Sequence, residues 1–257
     1  MESTASSSAV PSDHVELFVK AGRDGTSLGG CPLCHRLFML LTVKADAGAL
    51  TLTTTPIVLA RPPPDFRRRV GATRLPALRH GDETLSDPDD MIQYVDEHFP
   101  LPTMPAGDLA AADACRDVFS KFSFFIKDVA QTSTPLMAEL RRLSGYLEVA
   151  GCRYLSGDDR PGHLDCAILP KLQHIRIAVK AFKNFDIDVQ LVGLWRYLAA
   201  AYACDAFTRT CPSDQEIIAH WMDKPECPSL NKEKRVQLGL DGPSMYSFHL
   251  PTGLVQI

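Results

Sequence analysis

The sequence predicts an α/β domain of order β-α-β-α-β-β-α followed, across a proline-rich joint, by an all-helical domain. Three observations carry this. A Cys31-Pro32-Leu33-Cys34 motif stands where a short alternating run gives way to helical spacing. Three prolines fall within the six residues Pro100 to Pro105, with no periodicity around them. Beyond that point, apolar residues recur every three or four positions.

Val15 to Lys20 alternates and ends at Ala21-Gly22-Arg23-Asp24-Gly25, the pattern of a strand entering a loop. Leu33, Leu37, Leu40 and Leu41 then share one helix face up to Lys44, with Pro32 in the first turn where proline is tolerated. Leu50 to Leu59 is rich in Thr, Val and Ile and reads as a second strand; Pro64 to Val70 reads as a short basic helix. Leu75 to His80 and Glu83 to Ser86 flank Gly81-Asp82, a two-residue hairpin turn, and Pro88 to His98 is amphipathic. A CxxC at a strand-to-helix junction inside β-α-β makes this domain thioredoxin-like.

In the second half, Leu109, Ala112, Cys115, Phe119, Phe122, Ile126 and Val129 form one helical stripe, and Leu164, Ile168, Leu172, Ile175, Val179 and Phe182 another. Both are expected in the core. Pro170, inside the second stripe, predicts a kink. Leu191 to Tyr202 and Ser213 to Met222 are further helices, and the prolines and glycines after Pro225 predict a loosely draped or mobile tail. The expected division is a disordered leader at 1–13, a thioredoxin-like domain at 14–99, a linker at 100–106, an all-helical domain at 107–224 and a tail at 225–257.

At 257 residues, 45% hydrophobic and 23% charged, the chain has an ordinary globular composition. A net charge of -4 provides no field for nucleic acid, and no nucleic-acid motif is present. Met1 to Ser12 lacks the basic start and apolar run of a secretory signal, so the eight cysteines point to a reducing, cytoplasmic setting. Cys115, Cys152, Cys166 and Cys204 are expected as small buried apolar residues.

Cys31 falls at a helix N-terminus, where unpaired amides lower a thiol pKa, and Cys34 lies one turn on as a resolving thiol. His35 and Arg36 either add positive potential or are solvated helix positions, the latter being favoured for His35. A structural zinc site needs a second cysteine pair that is absent. Cys31 to His35 also fits the C-x-x-C-H haem attachment pattern, which belongs to exported or mitochondrial proteins. Two inert buried cysteines are the remaining alternative; the strand-before, helix-after context favours redox chemistry and no metal. An X-Pro bond at Leu75-Pro76 can be cis and present a backbone edge beside the thiols, or be an ordinary edge-strand proline. Ser86 or Asp87 caps the next helix, whose free amides can bind a carboxylate.

Together, Glu16-Leu17-Phe18-Val19-Lys20-Ala21-Gly22, Cys31-Pro32-Leu33-Cys34-His35-Arg36-Leu37-Phe38-Met39, Leu75-Pro76, Leu164-Asp165-Cys166-Ala167-Ile168-Leu169-Pro170-Lys171-Leu172 and Thr210-Cys211-Pro212 closely resemble the chloride intracellular channel (CLIC) family. The match spans residues 14 to 222, and Pro62 to Arg67 and the tail look like its invertebrate branch. The resemblance implies a glutathione-transferase fold, glutaredoxin-like activity with glutathione as cosubstrate, and a second, membrane-inserted form that conducts anions as an oligomer. It implies Cys31 as the reactive thiol, Pro76 as a cis-proline whose neighbour Leu75 binds the glutathione backbone, Ser86 and Asp87 at the γ-glutamyl end, and Lys20 in the same cleft. Asp165 is the structural capping residue of the central helix.

The sequence departs from its relatives at Cys34, where many carry a small polar residue, and at Gly162, which replaces Ser or Thr at the cap. The acidic insert that some relatives carry before the central helix is also missing. A bilayer span needs about 20 apolar residues; Leu33 to Leu59 is interrupted by Arg36, Lys44 and Asp46. Insertion would therefore require unfolding of the first domain. Six arginines between Arg61 and Arg79 offer a basic patch for an anionic lipid surface or for glutathione carboxylates, with a solvated helix face as the favoured reading. A non-catalytic, redox-switched scaffold is the alternative function.

Overall fold

The computed structural model describes residues 13–157 and 159–252; the predicted leader lies outside them except for Asp13. The first half is β1 (His14–Lys20), α1 (Pro32–Asp46), β2 (Thr51–Ile57), α2 (Pro64–Arg69), β3 (Ala77–His80), β4 (Glu83–Leu85) and α3 (Pro88–His98). The sheet order is β2-β1-β3-β4, with β1 and β2 parallel and the other pairs antiparallel. The predicted hairpin turn is present, His80 pairing with Glu83 around Gly81 at φ 60°.

Alternation in β1 sends its side chains to two different cores. Val15, Leu17 and Val19 face α1 and α3, joining Leu37, Leu40, Leu41, Met91 and Val95. Phe18 faces the other way and forms a small core with Ile57, Phe66 of α2 and Ala77. Helix α1 is buried on both sides, because α7 packs against the face turned from the sheet.

The second half contains α4 (Leu109–Cys115), α5 (Val118–Ile126), α6 (Thr134–Ala150), α7 (His163–Lys183), α8 (Val192–Tyr202), α9 (Asp205–Thr208), α10 (Asp214–Met222) and α11 (Lys232–Gln237). The expected thioredoxin-like plus all-α architecture is present. Helix α7 continues on both sides of Pro170. Of the first helical stripe, Leu109 is 90% and Val129 68% exposed, and Ala112 is also on the surface. Leu109 opens α4, Ala112 lies on its outer side and Val129 falls beyond the end of α5, so a single spacing rule does not cover them. Cys115 and Cys166 are buried as expected, whereas Cys152 and Cys204 sit only half-buried near helix ends. Among the described residues, no helix is long and apolar enough to cross a membrane.

Asp165 organises the start of α7. Its carboxylate accepts from the amides of Gly162 at 2.9 Å, Leu155 at 2.8 Å and Ser156 at 3.1 Å, and from the Tyr197 hydroxyl at 2.6 Å. Gly162 at the cap has a steric reason: a Cβ there would lie 2.2 Å from the Pro105 carbonyl oxygen, where the chain between α3 and α4 crosses the helix start. Serine, the better cap in isolation, does not fit.

Within the described residues, which end at 252, the tail is pinned rather than loose. Gln215 Nε2 donates to the Pro243 carbonyl at 2.8 Å, Ser247 Oγ donates to Asp214 at 2.6 Å, and Arg176 donates to the Ser247 carbonyl at 2.7 Å. Tyr246 and Phe248 add ring contacts to each other, and Phe248 packs on Tyr202 and Phe207. Its partners are polar groups and rings on other helices, which leave no periodicity in its own sequence.

Candidate functional site

Cys31 is the N-cap of α1, with extended φ and ψ of -101° and 114°, and Pro32 starts the helix. Its pKa is brought down to about 6, first by the hydrogen bond from the Cys34 thiol, then by the Cys34 and Leu33 amides and the charge of Lys20, all against the opposing effect of burial. The Cys34 thiol is held protonated, pushed up by its bond to Cys31 and by burial. Its sulfur also accepts from the Lys20 amide at 3.3 Å. The pair thus divides into an ionised, accessible sulfur and a protonated, buried one.

His35 is neither solvated nor a source of positive potential. It is buried against Phe207, ring centroids 5.1 Å apart, and burial pushes its pKa down to about 3. The partner lies more than 170 residues away, which the local sequence could not reveal. Arg36 reaches Asp89 of α3 at 3.5 Å.

Cys31 opens onto a cleft of about 640 Å³. Its walls are the loop from Lys20 to Gly25, the segment Ile57 to Arg61, Thr73 to Leu75, and Glu216, Ala219, His220 and Asp223 of α10 and its end. Of the residues singled out from sequence, Lys20, Cys31 and Leu75 line this space together. Cys34 lies beneath Cys31. The Leu75-Pro76 bond is cis, and Pro76 itself is buried behind Leu75.

Ser86 and Asp87 are outside the lining. Asp87 caps α3, accepting from the Asp89 amide at 3.0 Å, and pairs with Arg74 at 3.1 Å. Both influences hold its carboxyl below the ordinary range, the amide more than the guanidinium. Asp87 is therefore joined to the cleft through Arg74, which does line it. Asp165 belongs to the separate α7 network.

Sequence reasoning missed Arg23, Glu216, His220 and Asp223 as cleft residues, while Arg61 and Arg74 of the basic patch do line it. Asp223 pairs with Lys20 at 3.5 Å, and His220 is kept neutral by burial, its pKa near 4. Most of these come from α10, far along the chain, and no local motif marks them. The arginine patch is largely neutralised: Arg68 and Arg69 bind Asp65, Arg69 and Arg79 bind Glu16, and Arg74 binds Asp87.

A family model described as CLIC-like N-terminal domain matches residues 13–102. The chain is 33% identical over 229 residues to the chloride intracellular channel Clic of Drosophila melanogaster, covering 86% of this chain and 85% of that one. The crystal structure of the CLIC homologue EXC-4 from C. elegans superposes with a TM-score of 0.81 at 21% identity, over 99% of this chain and 94% of that one. A dehydroascorbate reductase from Chlamydomonas reinhardtii follows with a TM-score of 0.68 at 23% identity, over 80% and 96% of the two chains. With that identity over most of both chains, this protein belongs to the chloride intracellular channel family.

Proposed function

We propose that the protein is a glutathione-dependent thiol–disulfide oxidoreductase in which Cys31 is the nucleophile and Cys34 the resolving thiol. The observation that carries this reading is the cleft-facing Cys31 at a helix N-terminus, its pKa brought down to about 6, backed by a protonated Cys34. Structural neighbours that include glutathione transferases and a dehydroascorbate reductase add support at the level of fold.

The Cys31 thiolate attacks the glutathione sulfur of a mixed disulfide R–S–SG. The S–S bond of the substrate breaks, R–S⁻ leaves and takes a proton from solvent, and the mixed disulfide of Cys31 with glutathione remains. A glutathione thiolate then attacks that glutathione sulfur, releasing oxidised glutathione and the Cys31 thiolate. Alternatively, Cys34 displaces glutathione to form an internal disulfide, which two glutathione molecules reduce. Leu75 offers backbone groups to the glutathione peptide, and Lys20, Arg61 and Arg74 complement its two carboxylates. Asp87 serves the γ-glutamyl end through Arg74 and the α3 amides, and Ser86 precedes it on the same turn.

Turnover of a mixed glutathione disulfide, with glutathione and glutathione reductase supplied, tests the reading. Activity abolished in Cys31→Ser and partly kept in Cys34→Ser is the expected result. A native chain without turnover would sink the enzymatic reading in favour of a redox-switched scaffold.

Family membership supports a second, membrane-inserted, anion-conducting form. It requires α1 to leave the two-sided core described above, because no described helix can span a bilayer as it stands. Chloride efflux from liposomes containing anionic lipid, compared under reducing and oxidising conditions, tests it. Absence of flux in both would end this reading.

A further inference from the structure

Arg23 joins three separate parts of the chain. Its amide and its Nε both donate to Glu216 Oε1 of α10, at 3.1 and 3.3 Å. Its Nη2 donates to the Leu240 carbonyl at 2.5 Å, and its Nη1 lies 3.6 Å from the Asp241 carboxylate. Leu240 and Asp241 belong to the segment after α11. Leu240 is 2% exposed, and the segment is tied to Gln215 on both sides, through the Gly239 carbonyl at 3.3 Å and the Met245 amide at 2.9 Å.

Arg23 stands on the loop from Ala21 to Leu28, which forms one wall of the thiol cleft. That loop is closed on itself. The Gly22 amide donates to the Ser27 carbonyl at 2.8 Å, and Asp24 accepts from the amides of Thr26 and Ser27, each at 2.8 Å. A loop so braced moves as a body, so the anchors of Arg23 set where the whole wall stands relative to α10. The planar fork of a guanidinium satisfies a carboxylate, a carbonyl and a second carboxylate at once, which an ammonium on a single stem does not.

We propose that the C-terminal segment around Leu240 and Asp241 is a working part of the thiol cleft, acting through Arg23 as a positioning residue that fixes the wall against which a disulfide substrate docks. The kinetic part of this proposal rests on the thiol–disulfide reading above; the structural part does not.

The test compares the native chain with a chain ending at Leu238, with Arg23→Ala and with Arg23→Lys. Amide hydrogen exchange over residues 21–28 is expected to speed up about tenfold or more in the truncated chain and in Arg23→Ala, while exchange in β1 is unchanged. With a mixed glutathione disulfide as substrate, KM should rise about fivefold against a smaller change in kcat, with Arg23→Lys intermediate. The pH midpoint of Cys31 alkylation should not move. Native-like exchange over 21–28 in the truncated chain overturns the proposal, as does a loss confined to kcat. If the native chain shows no turnover, the oxidoreductase reading fails by itself and the exchange measurement alone decides the role of the segment.

Discussion

The backbone amide of Lys20, the last residue of β1, donates to the sulfur of Cys34 at 3.3 Å. The strand end therefore holds the second thiol in place while that thiol donates to Cys31, whose pKa lies near 6. Replacing Cys34 by Ala removes the largest lowering influence on Cys31, and the midpoint of its alkylation by iodoacetamide should move to higher pH. Lys20→Met should move it in the same direction by less, since the lysine charge is the smallest of the lowering causes. Unchanged midpoints in both variants would leave the helix N-terminus as the only source of activation.

Three histidines give the protein a definite acid response. His35 is held neutral with a pKa near 3, His220 near 4, and His174 is also pushed well down, in each case chiefly by burial. Unfolded histidine titrates near 6.5, so the unfolded chain takes up these protons first. Stability should be full above about pH 6.5 and decline as pH falls from there toward the folded values. Denaturant titrations between pH 7 and pH 4 should show a shallower decline for His35→Gln than for the native chain; identical slopes would remove His35 from the account.

Asp165→Ala should be among the more damaging single substitutions. It leaves the buried amides of Leu155 and Gly162, the half-buried amide of Ser156 and the Tyr197 hydroxyl without their acceptor, and each unsatisfied buried group costs about 1–3 kcal/mol. A loss of at least about 3 kcal/mol in urea unfolding is expected, against about 1 kcal/mol for Tyr197→Phe.

Gly162→Ser offers a test in which two simple rules disagree. Cap preference says serine is as good or better, while the Pro105 carbonyl sits 2.2 Å from where its Cβ would be. Sterics should win, with a loss of about 1–3 kcal/mol by thermal or urea unfolding. A stabilised Gly162→Ser would mean that the chain before α4 yields easily at Pro105.

The parts of this structure legible in the sequence are those written in short stretches of it. The Cys31-Pro32 helix start, the Gly81-Asp82 turn and the α7 stripe each depend on neighbours a few residues away. The burial of His35 does not, because Phe207 supplies its environment. Nor does the cleft wall, since Arg23 and Glu216 meet across 193 positions. Ser86 and Asp87 show a third kind of limit. Their place at the start of α3 was readable, but which way the Asp87 carboxylate turns was decided by Arg74 and by the helix amides. The arginine patch likewise gave its charge in the sequence, but not the carboxylates that quench it.

Because α1 lies between the sheet and α7, both halves of the chain share a single continuous apolar interior. Two domains by topology thus behave as one unit in unfolding: heat should melt them in one calorimetric transition, with no folded intermediate that keeps α1 in place and loses α7. The same sharing couples the outside to the thiols. Any partner or surface that draws the first domain away must uncover the α7 face at the same moment, opening apolar surface on both parts of the break.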